Sequence, residues 1–122
     1  MRIKEMSYFE PYYESEADID NACLDVYVTL ENNDFYLLEV TTPKYLCSIM
    51  EKSKSNFVQP YYPCIIVSEL KYDTIRSAIQ QFIDEEEDAY WLKLYHTAGV
   101  LNIEDINKIL LDREEKEQET ED

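Results

Sequence analysis

The sequence predicts an α+β fold, with a roughly four-stranded, mostly antiparallel sheet packed with three to four helices. Two segments alternate apolar and polar residues with a period of two, which is typical of half-buried strands. Later segments repeat apolar residues at spacings of three, four and seven, which is typical of amphipathic helices. Because 122 residues suit one core, we expect a single α+β domain at residues 1–111 and an acidic disordered tail at residues 112–122.

The chain begins with a weakly patterned strand. Residues 2–9 place Ile3 and Phe9 on one strand face and apolar residues on the other as well. Residues 10–21 contain a proline, two tyrosines and several acids and follow neither period. They predict an exposed loop.

A hairpin follows this loop. The alternation is regular over residues 23–30 and resumes over residues 35–41. The residues between them, Glu31-Asn32-Asn33-Asp34, tolerate positive φ, so the two strands should pair antiparallel. The side chains expected on the inner face are Leu24, Val26, Val28, Leu30, Tyr36, Leu38 and Val40.

The strand pattern changes to a helical one at Thr42 and Pro43. A threonine hydroxyl can accept a hydrogen bond from a first-turn amide, and proline fits the first helical position. We expect this helix to end near Ser53. Residues 54–63 then form a loop, and residues 64–67 are apolar on both faces, which predicts a central strand covered on each side.

Three more helices are predicted. Apolar residues recur with helical spacing over residues 72–83, and again over 89–97, where Trp91, Leu94 and Tyr95 share a face. Gly99 suits a left-handed position after that helix. Asn102-Ile103-Glu104-Asp105 resembles a capping arrangement for a last short helix. The residues from Asp112 onward include no apolar side chain, which indicates disorder.

The charge is strongly negative, with 27 acidic residues, 11 basic residues and a formal net charge of −16. Nucleic acids and anionic membranes are therefore unfavourable partners, and a cationic partner is favoured. The simpler interpretation, that acidity keeps a small protein in solution, remains open.

The three cysteines are Cys23, Cys47 and Cys64, widely spaced and without a C-x-x-C pair. With no signal peptide at the N-terminus, they predict buried reduced thiols in a cytoplasmic protein. No stretch approaches 18 consecutive apolar residues, so no transmembrane helix is predicted.

Catalytic chemistry has little support in the sequence. His96 is the only histidine, and near the end of a helix it is expected to cap or to pack. A zinc site needs more ligands at closer spacing, and one glycine cannot form a phosphate-binding loop. We therefore expect no catalytic residue, no metal and no cofactor, although a hydrolase using paired carboxylates remains an alternative.

Two acidic surface features are candidates for partner binding. Aromatic anchors beside acids suit a basic partner, because tyrosine contributes contact area and carboxylates bind arginine. The alternatives are a solvated connection for the first feature and, for the second, charges that balance two helix dipoles. The candidate residues are Tyr12, Tyr13, Glu14, Glu16, Asp18 and Asp20 in the first, and Asp84, Glu85, Glu86, Glu87 and Asp88 in the second.

Several short motifs resemble those of one family of bacterial proteins. They are Val40-Thr41-Thr42-Pro43-Lys44-Tyr45-Leu46, then Tyr72-Asp73-Thr74-Ile75-Arg76, then an acidic stretch leading to Trp91, and Gly99. Together they resemble the immunity proteins of polymorphic toxin systems, in particular the family numbered eighth, over about residues 8–110. This chain lacks that family's glycine-containing hairpin turn, and Leu101-Asn102 stands where a second tryptophan is usual.

The resemblance implies a cytoplasmic, non-enzymatic inhibitor that binds a cognate toxin domain and prevents self-intoxication or sibling killing, as in contact-dependent inhibition. The acidic charge suggests a toxin with a basic surface, a nuclease being the leading class. The alternative is a phage or mobile-element protein that mimics nucleic-acid charge and inhibits a DNA-binding enzyme.

Overall fold

The computed structural model describes residues 1–59 and 63–120, with side chains described through residue 117. One four-stranded mixed sheet has the order β1-β2-β3-β4, and four α-helices and a short 3-10 turn accompany it. The α+β class predicted from the sequence is confirmed. The elements are β1 (Ile3–Tyr8), β2 (Cys23–Leu30), β3 (Phe35–Thr41), α1 (Pro43–Ser53), β4 (Cys64–Ile66), α2 (Tyr72–Glu85), the 3-10 turn (Glu87–Ala89), α3 (Tyr90–Ala98) and α4 (Ile103–Thr120).

The hairpin of β2 and β3 forms the middle of the sheet. The pairs include Val26 opposite Leu38 and Tyr27 opposite Leu37, and the turn uses a positive φ at Asn33. Strand alternation therefore separates an inner face from an outer face, as predicted. The buried inner-face side chains on these strands are Val26, Val28, Leu30, Tyr36, Leu38 and Val40.

Strand β1 pairs antiparallel with β2, but its faces differ from the prediction. The register shifts between Ile3 and Glu5, so Ile3 and Met6 are both buried on the inner face. Phe9 is 56% exposed instead of sharing a face with Ile3. The cause is a bulge, which inserts one extra residue and reverses the alternation along the strand.

Strand β4 was predicted as a central strand, and that prediction is wrong. Among the described residues it is an edge strand, paired in parallel with β3 and with no strand on its other side. Ile65 is buried, whereas Ile66 is 55% exposed. A short apolar run cannot show which strands will lie beside it, because strand neighbours depend on pairing between distant segments.

Helix α1 begins as predicted at Thr42 and Pro43. The Thr42 hydroxyl accepts a hydrogen bond from the Tyr45 amide at 3.3 Å, and the helix ends at Ser53, followed by a left-handed Lys54. No residue of α1 is fully buried. The helix therefore forms a crossover between parallel strands and contributes little to the core.

Helix α2 covers the inner face with Ile75, Ile79 and Ile83, all buried. It also holds the edge strand β1, because the Gln80 side chain accepts a hydrogen bond from the Ile3 amide at 3.2 Å and the Arg76 guanidinium donates to the Ile3 carbonyl at 3.2 Å. Side chains of α2 thus satisfy the backbone of Ile3 at the start of this edge strand.

Helix α3 differs from the prediction in the residue that it buries. Leu92 is the buried residue, whereas Trp91 is half-buried and Leu94 is 43% exposed. Asp88 and Ala89 have positive φ values of 58° and 53°, which makes a kink between α2 and α3. This kink, and not the helical spacing continued from α2, determines which side of α3 faces the core. Gly99 is right-handed, with φ −75°, because the helix ends through a bond from its amide to the His96 carbonyl.

Helix α4 begins with the predicted capping arrangement. The Asp105 amide donates to the Asn102 side chain at 2.9 Å, and the Asn102 amide donates to the Asp105 carboxylate at 3.2 Å. The helix continues to Thr120, beyond the boundary at residue 111 predicted for the disordered tail. The side chains of residues 102–117 are all exposed, so the tail lacks a packing anchor as expected, and its backbone is helical because Glu, Lys, Arg and Gln are good helix formers.

Candidate protein-binding surfaces

The first predicted feature, the loop over residues 12–20, is partly an anchored structure. The Tyr12 hydroxyl donates to the Leu70 carbonyl at 2.8 Å, and the Tyr12 ring makes an edge contact with Tyr8 at 5.1 Å. Burial, followed by nearby Glu14, raises the pKa of both tyrosines, that of Tyr8 to about 12. Tyr12 therefore fixes the loop to the core and is not a free anchor for a partner.

Two acids of this loop also have structural partners. The Glu14 carboxylate accepts a hydrogen bond from the Tyr72 amide at the start of α2, where negative charge favours the helix dipole. The Asp20 carboxylate lies 3.5 Å from the Lys44 ammonium. Tyr13 is 64% exposed, and the exposed acids Glu16 and Asp18 have no side-chain partner within the described residues.

The second predicted feature lies at the other end of α2. Asp84 accepts a hydrogen bond from Gln80 at 3.0 Å, and the Asp88 carboxylate is 2.8 Å from the Lys93 ammonium. The remaining acids of the block, Glu85, Glu86 and Glu87, are exposed. Because α2 has 14 residues and rises about 1.5 Å per residue, roughly 20 Å of helix separates the two predicted features. The structure does not bring them into one surface.

A third surface was not predicted, and it lies on the outer face of the sheet. The rings of Phe9 and Tyr27 are 5.8 Å apart, and those of Tyr27 and Phe35 stack at 5.1 Å. Phe9, Phe35 and Leu37 are 56%, 52% and 39% exposed. We call Phe9, Tyr27, Phe35 and Leu37 the aromatic patch.

Two acids adjoin the aromatic patch on the same face. Asp25 lies directly opposite Glu39 across β2 and β3, and the Cys23 thiol donates to the Glu39 carboxylate at 2.9 Å. Neither acid forms an ion pair with a basic side chain in the part of the chain that the structure describes. Both line a groove of about 300 Å³ whose apolar wall includes Leu37, Pro63, Tyr95 and Val100.

The cysteines are less buried than predicted. Cys47 is exposed, and Cys23 and Cys64 are half-buried, because these positions lie on α1 and on the incompletely covered outer face. Burial, followed by Glu39, raises the pKa of the Cys23 thiol to about 12 and raises that of Cys64. A thiol that keeps its proton is a poor nucleophile and a poor metal ligand.

His96 packs, as one of its two predicted interpretations stated, but its hydrogen bond is to a strand. Its Nδ1 accepts from the Leu37 amide at 3.0 Å, and its ring makes an edge contact with Tyr36 at 5.7 Å. His96 thus satisfies one backbone amide of β3, at a position that precedes the pairing of β3 with β4. Among the side chains of residues 1–59 and 63–117, no three of His, Cys, Asp or Glu are grouped to hold a metal. No helix in the described part of the chain is long and apolar enough to cross a membrane.

The sequence did contain a signal for the aromatic patch. Tyr27, Phe35 and Leu37 occupy positions that the strand alternation assigns to the outer face, where polar residues are usual. Phe9 joined them only because of the bulge in β1, which the pattern does not show.

No model of a known protein family matches the chain, and neither a curated protein nor a solved structure is found to be similar to it.

Proposed function

We propose that this protein is an immunity-type inhibitor that binds a cognate toxin domain with a basic surface, most simply a nuclease, and so prevents self-intoxication or sibling killing. The observation that supports the proposal best is unbalanced surface charge. The chain has a net charge of −16, and the four ion pairs among the described side chains are all on the surface.

The nuclease class follows from electrostatic complementarity. A cleft that binds phosphates is cationic, and an acidic protein that covers it competes with the nucleic acid for the same charges. Opposite surface potentials also speed the encounter of two proteins at low salt. Fast association matters for an inhibitor, because a free toxin damages the cell that makes it.

The motifs that resemble the immunity family supply architecture in this proposal. Thr42 and Pro43 begin α1, and Arg76 holds β1 to α2. These residues shape the domain and are not assigned to partner binding. The inhibitor acts by occupying the toxin and needs no catalytic step.

The proposal is tested by co-expressing the chain with an inactive variant of the protein encoded by the adjacent gene. We expect the two proteins to purify together, the active partner to lose its activity when this chain is added, and the association rate to fall steeply with salt. An adjacent-gene product that neither binds the chain nor harms cells would contradict the proposal. Capture of a host DNA-binding enzyme instead would favour the nucleic-acid mimic.

A further inference from the structure

We propose that the outer face of the sheet is the docking surface for a basic partner protein, and that an arginine side chain of that partner enters the groove between Asp25 and Glu39. The identity of the partner as a toxin rests on the proposed function. The chemistry of the surface rests on the aromatic patch, the two acids and the groove.

The aromatic patch is the first argument. Three rings follow one another from Phe9, just after β1, across β2 to β3, with centroid distances of 5.8 and 5.1 Å. Single exposed apolar residues are common on proteins, but contiguous exposed apolar groups indicate an interaction site. Aromatic residues are also enriched in protein interfaces.

The acid pair is the second argument. Asp25 and Glu39 are directly opposite each other, and like charges in that arrangement destabilise a sheet. A cation between them removes this repulsion. Arginine fits better than lysine, because its planar guanidinium can bond two carboxylates and also stack on an aromatic ring.

The groove is the third argument. Its volume is about 300 Å³, and Leu37, Tyr95 and Val100 line it beside the two acids. The aliphatic part of an arginine side chain can pack on these apolar groups while its charged end reaches the carboxylates. The site thus combines an apolar wall with a few placed polar groups, which is common in binding sites.

Charge complementarity selects a basic partner over the other occupants. A second copy of this chain also carries a net charge of −16, so two copies repel each other. The chain's own α4 has an exposed apolar side that includes Ile106 and Leu110. It also contains many acids, which would meet Asp25 and Glu39.

The first experiment uses a hexa-arginine peptide as the probe, with amide chemical shifts of the isotope-labelled chain as the readout. We expect the largest changes at Asp25, Tyr27, Leu37 and Glu39, and weaker binding by hexa-lysine. Largest changes within residues 12–20 or 84–88 would overturn the proposal. This experiment needs no toxin, so its result stands whether or not the proposed function is correct.

The second experiment compares two double variants that remove the same charge. Asp25→Asn with Glu39→Gln should weaken peptide binding about tenfold, whereas Glu16→Gln with Asp18→Asn should change it less than about twofold. Equal losses in the two variants would show that only net charge matters and would overturn the proposal. The same pair applied to a captured partner shows whether the toxin uses this surface.

The third experiment changes the aromatic patch and checks the rival occupants. Phe35→Ser should weaken the peptide complex several-fold, and Phe57→Ser, at a position that is 73% exposed and outside the patch, should not. The free wild-type chain should be monomeric in sedimentation. A dimer that Phe35→Ser dissociates, or proton contacts between Leu110 and Phe35 in the free protein, would overturn the assignment to a basic partner.

Discussion

Thr42 is fully buried and connects three segments, which are strand β3, helix α1 and the acidic loop that ends at Asp20. Its hydroxyl accepts from the Tyr45 amide at 3.3 Å and donates to the Asp20 carbonyl at 2.6 Å. The first bond begins α1, and the second fixes the end of the acidic loop. The sequence predicted the first bond, because capping is local, but not the second, because Asp20 is distant in the chain.

Replacing Thr42 by alanine should therefore cost more than an ordinary helix cap. Loss of the cap costs about 1 kcal/mol, and an unsatisfied Asp20 carbonyl adds about 1 kcal/mol more. We expect the free energy of unfolding in urea to fall by about 2 kcal/mol, with partner binding retained by the folded fraction. Thr42→Ser is the control and should keep most of the stability. A loss in Thr42→Ala no larger than in Thr42→Ser would contradict this account.

Cys23 and Cys47 should react very differently with an alkylating reagent at pH 8. The pKa of Cys23 is raised from 9.0 to about 12, which lowers its thiolate fraction on the order of a thousandfold. Cys47 is exposed and should react first. Mass spectrometry of digested protein measures the order. In Glu39→Gln, Cys23 should react faster, because the carboxylate that opposes its ionisation is gone.

Ionisation of the Cys23 thiol and of the Tyr8 hydroxyl should destabilise the fold at alkaline pH. The pKa of Cys23 rises from 9.0 to about 12 and that of Tyr8 from 10.0 to about 12, so the folded state binds these protons more tightly than the unfolded state. The stabilisation that these two protons contribute is therefore complete below pH 9 and is lost as the pH rises toward 12. Unfolding midpoints in urea from pH 8 to pH 11 measure the fall. It should be smaller in Tyr8→Phe, and an unchanged slope would exclude Tyr8 as a cause.

At the scale of the element, α4 has a well-formed start and, over the side chains that the structure describes, little packing against the domain. Asn102 and Asp105 exchange two hydrogen bonds, while every side chain over residues 102–117 is exposed. A helix of 18 residues without tertiary packing must form its first turn unaided, and that nucleation step is unfavourable. Its helicity must therefore depend strongly on its cap.

Asn102→Ala should unravel the start of α4 without weakening the domain. Amide exchange over residues 103–112 should accelerate several-fold, and the global free energy of unfolding should change by less than about 0.5 kcal/mol. Asn102→Asp is the control, because aspartate is an equally good cap. A global loss comparable to that of Thr42→Ala would mean that α4 packs on the domain.

The elements that the sequence predicted well are those set by local pattern. The strands β2 and β3 follow from alternation, and α2 follows from the spacing of Ile75, Ile79 and Ile83. The edge position of β4 and the rotation of α3 were not predictable, since the first depends on strand pairing and the second on two residues with positive φ. The bulge in β1 also depends on strand pairing, so neither the bulge nor the exposure of Phe9 was predicted.

At the scale of the whole molecule, the sequence predicted the negative charge but not how the acidic side chains are arranged on the surface. The two predicted acidic features lie at opposite ends of α2, and several of their members, such as Tyr12 and Glu14, have structural partners. The outer face instead combines aromatic rings with Asp25 and Glu39. That combination requires the pairing register, which places residues distant in sequence side by side.

The net charge of −16 predicts opposite effects of salt on stability and on binding. Repulsion among acids opposes the compact state, and the four described ion pairs are exposed and contribute little. Raising NaCl from 10 to about 300 mM shortens the Debye length well below 10 Å, so the melting temperature should rise while association with a basic partner slows. Calorimetry and stopped-flow binding measure the two quantities. In the variant with Glu16→Gln and Asp18→Asn, which carries less negative charge, both the melting temperature and the association rate should depend less on NaCl. A melting temperature that falls with NaCl would show that attractive ion pairs, and not repulsion among acids, dominate the effect of charge on stability.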